Sequence, residues 1–401
     1  MDFSFSDRTD TLIAKLEAFM AEHIVPNDEV YKKAIQQSDD PWQVPALMEE
    51  LKAKAREQGL WNLFMPGEEY GAGLNNSDYA PLAEIMGRYY WCSEVFNCSA
   101  PDTGNMEVLE KYGTDAQKKQ WLEPLLEGKI RSSFCMTEPN VASSDATNLE
   151  STIVEDGDEL VLNGRKWWIT GIGHPNCEIL IFMGVSNPEA DRHSQHAMVL
   201  VPRFTEGVEI VRHLPVFGQY DEPVGHSEVD FNNVRVPREN IILGLGRGFE
   251  IAQGRLGPGR IHHCMRCIGL AEAALELMVK RGMSRSAFGK PIINLGGNRQ
   301  LVAKSRMEID QARLLTLKAA YMMDTVGTFG ALSEISQIKV VAPNVAQQVV
   351  ERAIQMHGAE GLSDDTPLAE MYGVARCCRM ADGPDEVHEA LVGRLEIAKY
   401  R

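Results

Sequence analysis

Asp382 lies in the run Met380-Ala381-Asp382-Gly383-Pro384-Asp385-Glu386-Val387-His388, near the end of a sequence of 401 residues. A carboxylate shut away from water is disfavoured as an anion, so its pKa climbs toward neutrality and it becomes able to accept a proton. The same residue ahead of Gly-Pro also suits a turn or a helix N-cap, and both readings stand. Three other groups invite chemistry less well. His262-His263-Cys264-Met265-Arg266-Cys267 holds metal-binding residue types. Cys264 and Cys267 are one helical turn apart with no matching second pair, so no metal is expected. Gly244-Leu245-Gly246-Arg247-Gly248 does not fit a strand-to-helix dinucleotide fingerprint and reads as a linker. The adjacent Cys377 and Cys378 read as helix interior.

The elements that would position such residues fall into three zones. From about 5 to 130, Leu12, Ile13, Leu16, Phe19 and Met20 recur at helical spacing, Leu47, Leu51 and Leu60 continue such faces, and Pro66-Gly67 and Gly71-Ala72-Gly73 break the helices apart. From about 131 to 243 the pattern changes to strands. Residues 152–154 and 160–162 flank a tight turn, and residues 179–183, 198–201 and 208–211 are short apolar runs. From about 246 the helical period returns, with residues 307–323 as one long helix and Gly296-Gly297-Asn298 as a loop. This order predicts an α+β, mostly helical protein with a β domain between two helical ones. The boundaries are 1–130, 131–243 and 244–401.

Hydrophobic residues at 44% and charged residues at 24% are ordinary for a globular chain. A net charge of −17 argues against a nucleic-acid partner. The sequence lacks a basic, apolar leader and any run long enough to span a membrane, so no membrane insertion is expected. Eight scattered cysteines suit a reducing compartment, and the expected location is cytoplasmic.

Four runs resemble, in order and spacing, the signatures of the acyl-CoA dehydrogenase family. They are Cys135-Met136-Thr137-Glu138-Pro139 followed by Ser143-Ser144-Asp145; Trp167-Trp168-Ile169-Thr170-Gly171; Arg285-Ser286-Ala287-Phe288-Gly289-Lys290; and Gln355-Met356-His357-Gly358-Ala359-Glu360-Gly361. The likeness covers essentially the whole chain. Residues 141–148, 253–263 and 381–386 look like one branch, whose dehydrogenase domains occur fused to aminoglycoside-phosphotransferase-like kinase domains in larger proteins. A chain of this length is not expected to carry that kinase.

The resemblance implies the three-domain acyl-CoA dehydrogenase fold and FAD-dependent α,β-desaturation of an acyl-CoA. A base removes the α-proton while a hydride leaves the β-carbon for flavin N5. The family's base is usually a glutamate before a glycine, and here that place is taken by Asp382, one methylene shorter. Some members carry the base just before the arginine matching Arg260. Here that position is Gly259, which has no group to act. Developing charge on the thioester oxygen would be met by the Asp382 N–H and a flavin hydroxyl, donors typically worth several kcal/mol.

By the same resemblance Thr137 and Thr170 hydrogen-bond the flavin ring, while Phe134, Met136, Trp168 and Ile169 supply strand backbone and apolar walls. Taken alone, Trp168 would read as a core aromatic. Ser143 is assigned to the cofactor and Ser144 to the substrate. One residue more than usual separates Pro139 from the Ser-Asp pair, so their roles could be exchanged. Arg285 and Gln355, with Phe288, Gly358 and Ala359, resemble residues that hold the FAD diphosphate and adenine across a subunit boundary, and a guanidinium fork suits a diphosphate.

Arg260 and Gly383 are assigned to the substrate. The usual neighbours of Arg260 are replaced by Gly257 and Gly259, which either admit a ligand to the backbone or form a loop before the helix. Gly296, Pro384 and Glu386 depart from the family pattern and alter the expected contacts near the diphosphate and adenine. A homodimer or homotetramer and an electron-transfer flavoprotein as electron acceptor are implied. The branch likeness raises an alternative, in which a 4-phosphorylated acyl-CoA loses phosphate with no net oxidation. Arg255, Arg260 and His262 lie in a plausible region for that phosphate.

Overall fold

The computed structural model describes residues 4–401, without the side chains of Leu256 and Pro258. Helices precede and follow a β region, whose seven-stranded sheet is contained between Arg131 and Pro237. By packing, the chain divides into two units, Met1–Ile24, Gly73–Ser93 and Gly257–Arg401 in one, and Val25–Ala72 and Glu94–Leu256 in the other.

The second unit carries the sheet. Its strands are β1 (Arg131–Cys135), β2 (Thr152–Asp156), β3 (Glu159–Thr170), β4 (Cys177–Val185), β5 (His196–Pro202), β6 (Val208–His213) and β7 (His226–Pro237), in the order β1-β4-β2-β3-β7-β6, with β5 also paired to β4. The expected hairpin forms as β2 and β3, antiparallel, and Gly157 in the turn has φ 64°. β4 reads as an unbroken apolar run because β1 and β5 flank it and both of its faces are covered. β1 and β7 are strands that the apolar runs do not reveal, and in β7 the reason is visible. Val229 and Phe231 face the core, then Val234 and Val236, and the register shift between them breaks the two-residue period.

At the start of β1 lies a buried ion cluster. Arg131 Nε donates to Asp102 at 2.8 Å, and its Nη1 pairs with Glu94, which Lys52 also reaches at 2.9 Å. Arg131, Glu94, Asp102 and Lys52 are each at most 6% exposed. The Arg131 and Lys52 cations hold the Glu94 carboxyl far below its ordinary range despite its burial.

The first unit is helical: Asp7–Phe19, Asn76–Met86, most of Gly248–Ser284, Asn298–Gly330, Leu332–His357, Leu368–Cys378 and Asp385–Ala398. Residues 307–323 fall inside Asn298–Gly330, as their period predicts. The glycines at 257 and 259 do not form a loop before a helix. They lie within Gly248–Ser284, although glycine and proline crowd residues 254–259. Tertiary packing outweighs their poor helix propensity here, since a Cβ on Gly257 would meet Thr328 Cγ2 at 2.3 Å. No helix among the described residues is long and apolar enough to cross a membrane.

Candidate active site

Asp382 stands in the turn between the helices Leu368–Cys378 and Asp385–Ala398. It does not cap the second helix, whose N-cap is Pro384 with no side-chain cap bond. Its backbone is left-handed, with φ 56°, a conformation that aspartate tolerates better than most residues. Gly383 follows at φ 104°, and a Cβ there would fall 2.9 Å from His388 Nε2, so this position requires glycine.

Three side chains fix the carbonyls of this turn. Arg260 Nε donates to the Asp382 carbonyl at 3.0 Å, and His388 Nε2 lies 3.3 Å from the same oxygen. Lys339, fully buried on Leu332–His357, donates to the carbonyls of Cys378 at 2.6 Å and Gly383 at 3.1 Å. Burial, with Arg260 and Lys339 nearby, pushes His388 down to about 4, so the ring is neutral at physiological pH. Just beyond the turn, Arg379 and Asn344 hold the Asp385 carboxylate at 2.8 and 3.0 Å. The Asp382 side chain is itself 16% exposed. Its Oδ2 faces the helix Gly248–Ser284, 3.6 Å from His263 Nε2 and 3.3 Å from where a Cβ on Gly259 would stand. The result is a shielded carboxylate on a backbone held from three directions, an arrangement suited to proton abstraction.

A second group of predicted residues gathers in the sheet unit. β3 shifts register between Lys166 and Ile169, and Trp168 sits in that irregularity with φ 53° and 39% of its surface exposed. The irregularity turns the indole out of the core, where an ordinary strand tryptophan would lie. Thr170 Oγ1 is 2.9 Å from Nδ1 of His226, whose ring burial pushes down to about 4 and keeps neutral. The end of β1 is pinned alongside. The Thr137 carbonyl accepts the Trp167 N–H at 3.0 Å, and the Met136 carbonyl accepts Lys166 Nζ at 3.0 Å. Ile169 is 1% exposed within the core, which leaves its backbone for any ligand. Ser143 Oγ accepts the Glu138 N–H at 2.9 Å and shapes the loop, whereas Ser144 is exposed. A projecting indole, a threonine backed by a neutral histidine and a locked strand end fit a flat conjugated ring with a hydrogen-bonding edge.

The remaining predicted cofactor residues lie on the surface of the helical unit. Arg285 follows the end of Gly248–Ser284. Phe288 and Gly289 form the tip of the small hairpin of Ser286–Ala287 and Lys290–Pro291, where Phe288 is 95% exposed. Gln355, Gly358 and Ala359 are exposed around the end of Leu332–His357, which Gly358 terminates with φ 70°.

His262 is buried edge-on against Tyr79, 4.9 Å between ring centroids, and burial pushes it down to about 3. It is a neutral packing residue, unsuited to hold a phosphate. Arg255, also buried, lies over the Phe134 ring at 4.0 Å and donates to Asn105 Oδ1 at 3.1 Å. Beside it, burial pushes the Glu107 carboxyl up to about 8. Among the described residues no three His, Cys, Asp or Glu side chains come together as a metal site. His226, Lys339 and His388 carry no motif of their own and emerge only from the fold.

Three family profiles cover the chain in succession. They are the acyl-CoA dehydrogenase N-terminal domain over residues 6–129, the middle domain over 133–234 and the C-terminal domain over 246–396. Acyl-CoA dehydrogenase family member 10 of Mus musculus is 54% identical over 391 residues, 96% of this chain and 36% of that protein. FadE2 of Mycobacterium tuberculosis, a candidate acyl-CoA dehydrogenase, is 52% identical over 408 residues, 100% of this chain and 98% of its own length. A solved structure of a candidate acyl-CoA dehydrogenase from Mycobacterium abscessus superposes with a TM-score of 0.98 at 56% identity, over 100% of both chains. The chain spans about a third to about half the length of the mammalian relatives it matches.

Proposed function

The chain belongs to the acyl-CoA dehydrogenase family, and on that premise we propose that it carries out FAD-dependent α,β-dehydrogenation of an acyl-CoA with Asp382 as the base. The observation that carries this reading is the shielded Asp382 carboxylate on a turn fixed by Arg260, Lys339 and His388. Phe134, Met136, Thr137, Trp168, Thr170 and the Ile169 backbone would hold the flavin ring, with Ser143 ordering the adjoining loop. The exposed Arg285, Phe288, Gln355, Gly358 and Ala359 would serve the diphosphate and adenine for a neighbouring copy in a homodimer or homotetramer. When bound, FAD supplies the hydride acceptor, and an electron-transfer flavoprotein would take the electrons onward.

The protein's own part is proton chemistry and orientation. Asp382 takes the α-proton, and exclusion of water by the bound acyl chain raises its basicity. Its backbone N–H meets the charge that develops on the thioester oxygen. Arg260 keeps that backbone in place through the Asp382 carbonyl, and Ser144 and Gly383 would line the thioester's path. Anaerobic mixing with short-, medium- and long-chain acyl-CoAs tests the proposal. Flavin bleaching with formation of the enoyl-CoA is expected, and its absence with every chain length would refute it.

One observation favours a second reading. Arg255 is buried with its guanidinium over the Phe134 ring, and burial pushes the neighbouring Glu107 carboxyl up to about 8. That suits a 4-phosphorylated acyl-CoA losing phosphate without net oxidation. Phosphate release without turnover of an electron acceptor would establish this reading over simple dehydrogenation.

A further inference from the structure

Asp382 is short for its task, and the groups facing its side chain show how it is aimed. His263 presents Nε2 to Asp382 Oδ2 at 3.6 Å from the neighbouring helix. The other ring nitrogen, Nδ1, lies 3.3 Å from Arg266 Nη2. A guanidinium can only donate, so Nδ1 accepts in this contact and the ring N–H lies on Nε2, directed at the carboxylate. Gly259, one turn earlier, has no side chain to come between them, since its Cβ would stand 3.3 Å from the same oxygen. At 3.6 Å the pair is longer than a hydrogen bond, as catalytic pairs often are before a ligand closes the site.

We propose that His263 is a positioning residue for the base: its Nε2–H holds Asp382 Oδ2 and presents Oδ1 to the substrate's α-proton. The inference rests on the reading of Asp382 as base. The proton passes from the α-carbon to Oδ1, and His263 neither gains nor loses one. Arg266 acts at one remove by setting the tautomer. This accounts for two histidines in sequence with different fates, His262 packed in the core and His263 turned to the carboxylate.

The test is loss of α-deuterium from α-deuterated octanoyl-CoA into water, followed by mass spectrometry on the purified full-length holoenzyme, alongside acyl-CoA affinity and melting temperature. His263→Phe keeps the ring volume and removes the donor. It is expected to slow exchange about ten- to a hundredfold with affinity little changed. His263→Gln, whose amide N–H can reach the same place, is expected to recover most of that loss, which a merely structural role would not predict. Combined with Asp382→Asn, His263→Phe should add nothing further. Exchange in His263→Phe at the wild-type rate, while Asp382→Asn abolishes it, overturns the positioning role alone. Exchange that survives Asp382→Asn overturns the base assignment as well.

Discussion

Asp382 Oδ2 lies 3.3 Å from the point where a side chain on Gly259 would begin. Two residues far apart in sequence thus share one small volume, and the absence of a side chain on one lets the other point where it does. Gly259→Ala separates stability from activity. Alanine favours the helix by about 1 kcal/mol, so the melting temperature should hold or rise. The added methyl crowds the carboxylate, and substrate-driven flavin bleaching should slow about tenfold or more. Full activity in a folded Gly259→Ala protein would show that the carboxylate has room to spare.

The ion cluster at the start of β1 should be far less tolerant. Arg131→Met removes the cation between Glu94 and Asp102 and leaves two buried carboxylates, of which only Glu94 retains Lys52. A loss of about 3–5 kcal/mol in unfolding free energy is expected, measured by denaturant titration. A change below about 1 kcal/mol would mean that water reaches the cluster.

Acid should destabilise the fold through histidines held neutral by burial. In the unfolded chain they titrate near 6.5, whereas His226 and His388 are pushed down to about 4 and His262 to about 3. Between these limits the unfolded state binds more protons, so the stability present above pH 6.5 is lost as pH falls toward about 4 and below. Melting temperature against pH should drop over this window, and less steeply in His262→Phe. Identical slopes would show that His262 takes no part in the acid sensitivity.

Much of the fold was legible because long periodic runs decide it. The helix over residues 307–323, the hairpin around Gly157 and the β4 run all follow from period and turn residues. β7 was hidden because its register shift interrupts the alternation of Val229, Phe231, Val234 and Val236. The helix through Gly257 and Gly259 was hidden for the opposite reason. Close packing on Thr328 requires glycine at 257, and local propensity points the other way. At the site, Asp382 could be singled out through the family resemblance, which puts it where the base usually stands. Lys339 and His388 could not, because the carbonyls they hold come together only when the last helices pack. His263 was visible merely as part of a cluster with metal-binding residue types. Its meaning depends on which face of the helix meets the turn.

The most direct measurement is anaerobic stopped-flow bleaching of the bound flavin by acyl-CoA in Asp382→Asn. The amide keeps the size of the side chain and the fixed turn but cannot take a proton. Cofactor content and acyl-CoA binding are expected to persist while the bleaching rate falls by about a hundredfold or more. Bleaching at the wild-type rate would contradict this and place the base elsewhere.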